Sequence, residues 1–263
     1  MLRKTQSWFV AEDDLEFENR GRFYEDSSCE AHPANWHGQQ VTVKRVELKT
    51  NGDRARFVSE VETWHRLNHP HVVHLFGACD ASPAFLVWEN LEFRPLMSYV
   101  CQQPRRIWKT LYEAALGLQY LHSTHVLHGD LRGDNILVGS NEISKLGYFN
   151  FDLVEPSAPE SEAEARKVSK NVRWVAPEVL LYGKKLSCAS DIYSFGMSIL
   201  EIASGEIPWG SSTPNSEIKT LLENERFPQR PSNFTSDQFA LVQQMCALDP
   251  SERVSINEVV DRL

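Results

Sequence analysis

The sequence contains few cysteines and no long hydrophobic run. Its five cysteines lie far apart and none belongs to a C-x-x-C pair, so the sequence predicts neither a disulfide scaffold nor a zinc knuckle. No stretch approaches the ~18 apolar residues of a membrane-spanning helix, and residues 1–10 lack the apolar run of a signal peptide. We therefore expect reduced thiols in an intracellular, cytoplasmic protein, with a nuclear protein or a domain of a longer chain as the alternatives.

Basic side chains are also in deficit, since 27 lysines and arginines stand against 36 aspartates and glutamates, a formal net charge of −9. Nucleic acids and anionic membranes both require clustered basic residues, so neither is an expected partner. The 41% apolar content, with 7 Trp, 13 Phe and 7 Tyr, excludes a disordered chain. A chain of 263 residues can therefore form one large domain or two modest lobes around a real core.

The first third of the chain shows strand patterns and one helical pattern. Residues 40–46 alternate apolar and polar side chains as a half-buried strand does, and residues 72–76 and 84–88 are two further predicted strands. One apolar stripe predicts a helix: Phe57, Val61, Trp64 and Leu67. From Pro95 onward the apolar stripes are helical; they include Ile107, Leu111, Ala115, Leu118, Leu121 and, later, Ile192, Phe195, Ile199, Ile202. The sequence thus predicts a small sheet-rich lobe followed by a larger helical lobe.

The strongest motif is H-G-D-L-R-G-D-N-I-L at residues 128–137. Its companions, in chain order, are V-T-V-K at 41–44, Glu60 nine residues before the H-P-H-V-V run, A-P-E at 176–178, D-I-Y-S-F-G at 191–196 and D-P-S-E-R at 249–253. In order and spacing this set resembles the protein-kinase superfamily from about Phe17 to Leu263, with Gly129 where the family has arginine. Trp174, just before A-P-E, is one of the details similar to the tyrosine-kinase-like branch of serine/threonine kinases.

The resemblance implies one α+β, bilobal kinase-like domain over residues 1–263. Its antiparallel-sheet N-lobe would cover residues 1–88, the hinge 89–95 and the mainly helical C-lobe 96–263, with an activation-type segment at 148–178. The segment Glu155–Ala165 carries four acids, two prolines and no large apolar residue, so we expect it to be a mobile, solvated loop.

The resemblance also implies catalytic roles for Lys44 and Asp130. In kinases the lysine, paired here with Glu60, aims at the phosphates, and the aspartate accepts the proton of the substrate hydroxyl. The other residues at nucleotide-binding or metal-binding positions are Glu89, Leu91, Asn135 and Leu137. Two plainer interpretations stay open: Lys44 could point to solvent, and the polar side chains of the 128–137 loop could hydrogen-bond only their own backbone.

The family's metal-binding aspartate is replaced by tyrosine. The kinase spacing of thirteen residues after Asn135 leads to Tyr148, in Y-F-N instead of D-F-G. A neutral phenol is a poor ligand for Mg²⁺, which prefers hard, anionic oxygens. Asp152 could take over this role only if the loop bulged. We therefore expect no metal site.

The phosphate-binding loop and the adenine pocket are altered as well. Where the family has three glycines, this chain has Tyr24, Asp26 and Cys29, whose side chains obstruct a close approach of phosphate to the backbone. Thr42 replaces the alanine above the base, and Trp88 holds the gatekeeper position, where it would fill the pocket or simply be core. The family's structural stack is kept, in Trp64, Leu75, His128 and Phe149.

Three further expectations concern the helical lobe. Gly129 removes the arginine that would receive a phosphorylated activation segment, so Ser157, Ser161 and Ser169 lack that receiver. Glu178 and Arg253 are predicted to form the buried ion pair of this family. A zinc site built from the three histidines at the end of the 107–121 stripe and in the loop motif is the less favoured interpretation; these are His122, His125 and His128.

The predicted function is that of a pseudokinase, an allosteric regulator or scaffold that binds a protein partner such as an active kinase. We expect no cofactor, or ATP without Mg²⁺. Two alternatives stay open: a weak or metal-unusual serine/threonine kinase that uses Lys44, Asp130 and Asn135, and a metal-independent ATP-binding switch.

Overall fold

The computed structural model describes residues 6–17, 31–89, 94–139, 141–149 and 172–263. The chain divides into two compact units, residues 1–93 and 94–263. Several sequence predictions lie outside the described residues: those for the phosphate-loop positions, Leu91, Asp152, the acidic loop and the three serines of the activation-type segment.

The N-terminal unit is built on one antiparallel sheet of five strands in the order β1-β2-β3-β5-β4. Its strands are β1 (Leu15–Phe17), β2 (Ala31–Trp36), β3 (Gln39–Val46), β4 (Leu75–Cys79) and β5 (Ala84–Glu89). Alternation along β3 and β5 directs Val41, Val43, Phe85 and Val87 into one apolar cluster. The predictions for 40–46 and 84–88 are therefore confirmed.

The third predicted strand, 72–76, was wrong in its first half. Val72 and Val73 are buried, but the backbone there turns: the N–H of Val72 donates to the carbonyl of His69, and the carbonyl of Val73 accepts from the indole of Trp64. The strand proper begins only at Leu75 and continues to Cys79. Adjacent apolar residues such as Val72 and Val73 occur both in buried strands and in buried turns. The sequence pattern therefore could not distinguish a strand from a turn at this point.

Helix α1 (Asn51–His65) lies in the same unit and begins at a capping box. The Thr50 hydroxyl accepts from the N–H of Asp53, and the Asp53 carboxylate accepts from the N–H of Thr50, so two otherwise unpaired backbone donors are satisfied. Phe57, Val61 and Trp64 are the buried face of this helix, as the stripe predicts.

The C-terminal unit is mainly helical and carries one three-stranded sheet in the order β6-β7-β8. Its strands are β6 (Arg94–Pro95), β7 (Ile136–Val138) and β8 (Ser144–Leu146). Its helices are α2 (Leu96–Gln102), α3 (Ile107–Ser123), α4 (Pro177–Leu180), α5 (Cys188–Ser204), α6 (Asn215–Glu223), α7 (Ser236–Met245) and α8 (Ile256–Arg262). The predicted α+β class, with a sheet N-lobe and a helical C-lobe, is confirmed.

Helix α5 is the centre of the C-terminal unit, since nearly all of its residues are buried. It begins at a capping box formed by Ser187 and Ser190 and ends at Gly205, whose φ of +77° is the left-handed conformation that glycine adopts at low cost. Its packing requires close approach: a Cβ on Gly196 would lie 2.6 Å from Sγ of Cys246. None of the helices in the described ranges is long and apolar enough to cross a membrane.

Candidate functional site

The H-G-D loop lies between α3 and β7 and is anchored by a buried carboxylate of α5. Asp191 accepts hydrogen bonds from the backbone N–H groups of His128 and Gly129, both at 2.9 Å, and its Oδ2 lies 3.1 Å from Nε2 of His122. Gly129 has φ of +74°, in the left-handed region. Hydrogen bonds to Asp191 on α5 therefore hold the loop in a conformation that Gly129 adopts without strain.

The three histidines considered for a zinc site lie in different environments. His128 is fully buried, and burial lowers the pKa of its imidazole, so the ring is neutral. Its Nδ1 accepts from the N–H of Asp130 at 3.3 Å, and its ring lies 5.0 Å from that of Phe149. His122 faces Asp191, and His125 is exposed. Within the described ranges no three metal-binding side chains are grouped as a metal site.

Asp130, the predicted proton acceptor, is tied to Asn135 in the same loop. The Asn135 amide donates to the carbonyl of Asp130 at 2.6 Å and to its Oδ2 at 3.0 Å. Nε of Arg132 is 3.8 Å from Oδ2 of Asp130, while its guanidinium pairs with Asp134 at 2.5 Å. The loop thus brings together the carboxylate and amide that phosphoryl transfer requires. The Asn135 nitrogen donates within the loop, so a metal ion could contact only the amide oxygen of this side chain.

A second carboxylate, which sequence reasoning missed, holds the far side of the loop. Oε2 of Glu201, on α5, accepts from the backbone N–H of Gly133 at 2.8 Å and from the Trp174 indole at 2.9 Å. Burial raises the pKa of this carboxyl. A Cβ on Gly133 would lie 3.0 Å from the same carboxylate, so a glycine suits this position. The one signal in the sequence was an acidic residue with apolar neighbours on both sides, within a predicted helix.

Tyr148 lies two residues after the end of β8, at the position where the resemblance to kinases predicts the metal-binding aspartate. The N–H of Gly147 donates to the carbonyl of Asn135 at 3.0 Å, which sets Tyr148 beside the H-G-D loop. Its φ is +53°, a left-handed conformation that is strained for tyrosine, and 45% of the residue surface is exposed. Partial burial raises the pKa of its phenol. Position 148 therefore offers a neutral hydroxyl instead of a carboxylate.

The N-terminal unit carries two further predicted site residues, Lys44 and Glu60. Lys44 is half-buried on β3, where its Cα pairs in register with those of Ala31 and Leu86, and Glu60 is half-buried on α1. Of the salt bridges in the described part of the chain, none joins Lys44 to Glu60. The structure thus adds no support for the predicted ion pair, which stays a prediction.

The two residues predicted to narrow an adenine pocket are cross-strand neighbours. Thr42 on β3 lies directly opposite Trp88 on β5. Trp88 is buried, and its ring stacks on that of Trp64 from α1, with centroids 5.8 Å apart and planes inclined by 30°. Trp88 is thus part of the core of this unit, as the plainer interpretation holds. Whether it also fills an adenine pocket stays a prediction.

The remaining predicted nucleotide-binding residues are engaged in secondary structure. Glu89 ends β5; its Oε1 accepts from the N–H of His74 at 2.8 Å and its N–H donates to the carbonyl of His74 at 3.0 Å. Leu137 is buried in the middle of β7. Each residue thus takes part in the secondary structure of its own unit, and its role in nucleotide binding stays a prediction.

The ion pair predicted between Glu178 and Arg253 is confirmed. The guanidinium donates two hydrogen bonds of 2.7 Å to the two carboxylate oxygens, and both side chains are buried. Two further donations go to the carbonyls of Ala247 and Ala189, so four of the five N–H donors have partners, and the charge lies over the ring of Tyr193. Such a buried, bidentate pair is a structural anchor.

Comparison with known proteins gives a consistent picture. The sequence pattern of the family described as protein tyrosine and serine/threonine kinase matches residues 19–263. The chain is 30% identical over 237 residues to dual specificity protein kinase pyk3 of Dictyostelium discoideum, covering 87% of this chain and 17% of that protein. It is 29% identical over 213 residues to the tyrosine-protein kinase transforming protein Fps of avian sarcoma virus, covering 78% and 39%. It is 26% identical over 234 residues to the Arabidopsis thaliana serine/threonine-protein kinase STY46, covering 86% and 40%. The chain spans less than half the length of each of these relatives.

Proposed function

Since this chain belongs to the protein tyrosine and serine/threonine kinase family, we propose that it is a pseudokinase of the tyrosine-kinase-like type, an allosteric regulator or scaffold with impaired phosphoryl transfer. The single observation that carries this proposal is Tyr148. It stands at the turn after β8, beside the H-G-D loop, where the family places the aspartate that binds the metal.

The residues present do not fit Mg²⁺. The divalent ion prefers octahedral coordination by hard oxygens, and carboxylates compensate its charge. Tyr148 supplies a phenol whose pKa is raised, so it remains protonated and uncharged at neutral pH. Asn135 keeps an amide oxygen, and its nitrogen is committed to Asp130. One neutral oxygen and one phenol are a weak substitute for the carboxylate and amide of an active site.

The supporting framework, by contrast, is intact. Asp191 and Glu201 accept hydrogen bonds from backbone N–H groups of the H-G-D loop. The Glu178–Arg253 pair joins α4 to the segment that precedes α8. A protein that keeps the buried hydrogen bonds and ion pair of a kinase fold, but lacks the metal-binding carboxylate, is suited to present a folded surface to another protein. The proposed partner is a protein, such as an active kinase, in the cytoplasm.

A weak serine/threonine kinase is the second candidate, because Asp130 and Asn135 remain joined by a 3.0 Å hydrogen bond. This hydrogen bond positions the Asp130 carboxylate, the predicted proton acceptor, within the loop. Lys44 on β3 would be the phosphate-binding cation. An ATP-binding switch that needs no metal ion is the third candidate, and it rests on Lys44 and the buried Leu137 alone.

A thermal shift titration separates these three functions. Ligand binding raises the apparent stability by mass action, so the chain is titrated with ATP alone, with ATP and Mg²⁺, and with ATP and Mn²⁺. The scaffold proposal predicts no shift at millimolar nucleotide in any series. A shift that appears only with a metal ion would favour the weak kinase, and a metal-independent shift the ATP-binding switch.

The matched control is Lys44→Met, which removes the predicted phosphate-binding cation and keeps the length of an unbranched side chain. Any nucleotide shift at the predicted site must disappear in this variant. A shift that persists in Lys44→Met would reveal binding elsewhere and would count for none of the three functions.

A further inference from the structure

Four histidines lie within residues 65–74, at the connection between α1 and β4: His65, His69, His71 and His74. All four side chains are half-buried in the N-terminal unit. Within the described ranges no three of them are grouped as a metal site. Their ring nitrogens make different hydrogen bonds, so the four histidines differ in how they respond to a proton.

Two of these histidines, His65 and His74, are hydrogen-bond donors. Nδ1 of His65 lies 3.2 Å from the carbonyl oxygen of Leu75, and Nδ1 of His74 lies 3.3 Å from that of Leu67. A carbonyl oxygen only accepts, so each of these ring nitrogens carries a hydrogen. Protonation of the other ring nitrogen leaves both hydrogen bonds in place. These two histidines therefore tolerate a positive charge without losing the bond to the backbone.

His69, by contrast, is a hydrogen-bond acceptor. The backbone N–H of His71 donates to Nδ1 of His69 at 3.2 Å. A protonated imidazole has no free lone pair, so a proton on His69 removes this acceptor from the N–H of His71. The two rings are also close, with centroids 5.5 Å apart, so positive charges on both would repel each other. The hydrogen bond between these residues therefore depends on a neutral His69.

The surroundings of His69 favour the neutral ring. Burial lowers the pKa of this imidazole, and among the described residues the charge of His71 adds to the effect. The other charged or titratable side chains on the elements around this connection, in the same described residues, are Glu62, His65, Arg66, His74 and Glu89. A lowered pKa means that the closed turn binds fewer protons than the open turn. Its stability is complete above the ordinary pKa of about 6.5 and falls as the pH drops below that value.

The turn that begins at His69 is joined to the core through Trp64 on α1. The N–H of Val72 donates to the carbonyl of His69 at 3.1 Å, and the carbonyl of Val73 accepts from the Trp64 indole at 2.8 Å. Both valines are buried, and the Trp64 ring stacks on that of Trp88 in β5. The turn thus attaches the end of α1 to the sheet, and a change at His69 is transmitted to the helix.

We propose that residues 66–74 are a pH-sensitive switch whose sensor is His69. Above the pKa of His69 its neutral ring holds the N–H of His71 and closes the turn. In mildly acidic solution a proton on Nδ1 breaks this hydrogen bond, drives the rings of His69 and His71 apart and loosens the attachment of α1 to β4. This inference is independent of the proposed function.

Hydrogen exchange of the full chain, followed by NMR and corrected for the intrinsic effect of pH on exchange, tests the switch. The protection of the His71 amide and of the Trp64 indole N–H should both fall at least about threefold between pH 7.5 and pH 5. Unchanged protection of the His71 amide would overturn the proposal. A fall at His71 with an unchanged Trp64 indole would overturn the claim that the switch reaches α1.

The decisive variant is His69→Asn, because an asparagine oxygen accepts from the N–H two residues on and does not titrate. This variant should keep the protection of His71 at pH 7.5 and lose its fall at pH 5. The matched control is His65→Gln, which removes a titrating ring that only donates and keeps an amide donor. It should retain the fall seen in the wild type. A pH dependence that persists in His69→Asn, or disappears in His65→Gln, would contradict the assignment of the sensor.

A measurement on the wild type alone keeps the proposal testable if His69→Asn does not hold the turn. The ¹⁵N chemical shift of Nδ1 of His69 and the amide proton shift of His71 should titrate with one midpoint, below about pH 6.5. Different midpoints for the two signals, or a midpoint above that value, would overturn the proposal.

Discussion

The N–H of Gly129 donates a 2.9 Å hydrogen bond to the buried carboxylate of Asp191 while φ of Gly129 is +74°. The carboxylate therefore fixes the loop in a left-handed conformation at the position where relatives in the kinase family have arginine. Glycine lacks the positive charge of the arginine. It also avoids the backbone strain that a residue with a side chain would carry in this conformation.

The first prediction concerns this strain. Gly129→Ala should lower the free energy of unfolding by roughly 1–2 kcal/mol, because alanine pays the left-handed penalty. Urea unfolding at pH 7 measures the change. Gly52→Ala, in the exposed first turn of α1 and with only ordinary contacts at its Cβ, is the matched control. It should leave the stability unchanged or raise it by up to about 1 kcal/mol. Equal losses in the two variants would contradict the assignment of strain to position 129.

The second prediction concerns the anchor between Glu178 and Arg253. Arg253→Met should destabilise the chain by about 3–5 kcal/mol, because it leaves a buried carboxylate without a partner. Glu178→Leu combined with Arg253→Met should recover part of this loss, since no unpaired charge remains. Chemical denaturation of the two variants checks the order. A double variant less stable than the single one would show that the pair itself, and not the unpaired charge, determines the cost.

The third prediction concerns pH. Burial lowers the pKa of His128 below its unfolded value near 6.5, so the native state binds fewer protons than the unfolded state. Its contribution to stability is complete above pH 6.5 and falls as the pH drops below 6.5, by up to about 1.4 kcal/mol per pH unit. The difference in unfolding free energy between the wild type and His128→Leu, followed from pH 7.5 to 5, isolates this residue. A difference that does not change with pH would mean that the pKa of His128 is the same in the native and unfolded states, which would contradict the lowering by burial.

The fourth prediction concerns the cross-strand pair Thr42 and Trp88. Trp88→Thr with Thr42→Ala should raise the affinity for ATP if bulk closes the adenine pocket, and isothermal titration calorimetry measures it. The stack on Trp64 is lost in this variant, so its fold must be checked by circular dichroism; Trp88→Phe with Thr42→Ala keeps an aromatic side chain and serves as the control. Unchanged affinity in a folded double variant would assign the obstacle to the phosphate loop.

Much of the fold could be predicted from sequence because two kinds of signal are local. The alternation along β3 and the stripe on α1 reflect periodic burial, and the structure confirms both. The Glu178–Arg253 pair was predictable only through the resemblance, since its members lie 75 residues apart.

The rest depended on tertiary contacts that leave no periodic signal. At Val72 and Val73 the chain turns, and the Trp64 indole donates a hydrogen bond to the carbonyl of Val73. No local sequence pattern reveals this contact. The role of Glu201 depends on distant partners in the same way. For the site, the residue types were predictable, whereas the hydrogen bonds from the Asn135 amide to Asp130 depend on the folded conformation of the loop.

The central claim is that a tyrosine in place of a carboxylate disables the metal site. Its most direct test is the Mg²⁺ dependence of ATP affinity, measured by calorimetry in the wild type, in Tyr148→Asp and in Tyr148→Asn, which is similar in size to aspartate but uncharged. A disabled metal site gives no Mg²⁺-dependent binding in the wild type or in Tyr148→Asn, and a gain only in Tyr148→Asp. Tight Mg²⁺-dependent binding of ATP by the wild type, unaffected by either substitution, would show that the tyrosine does not disable the site.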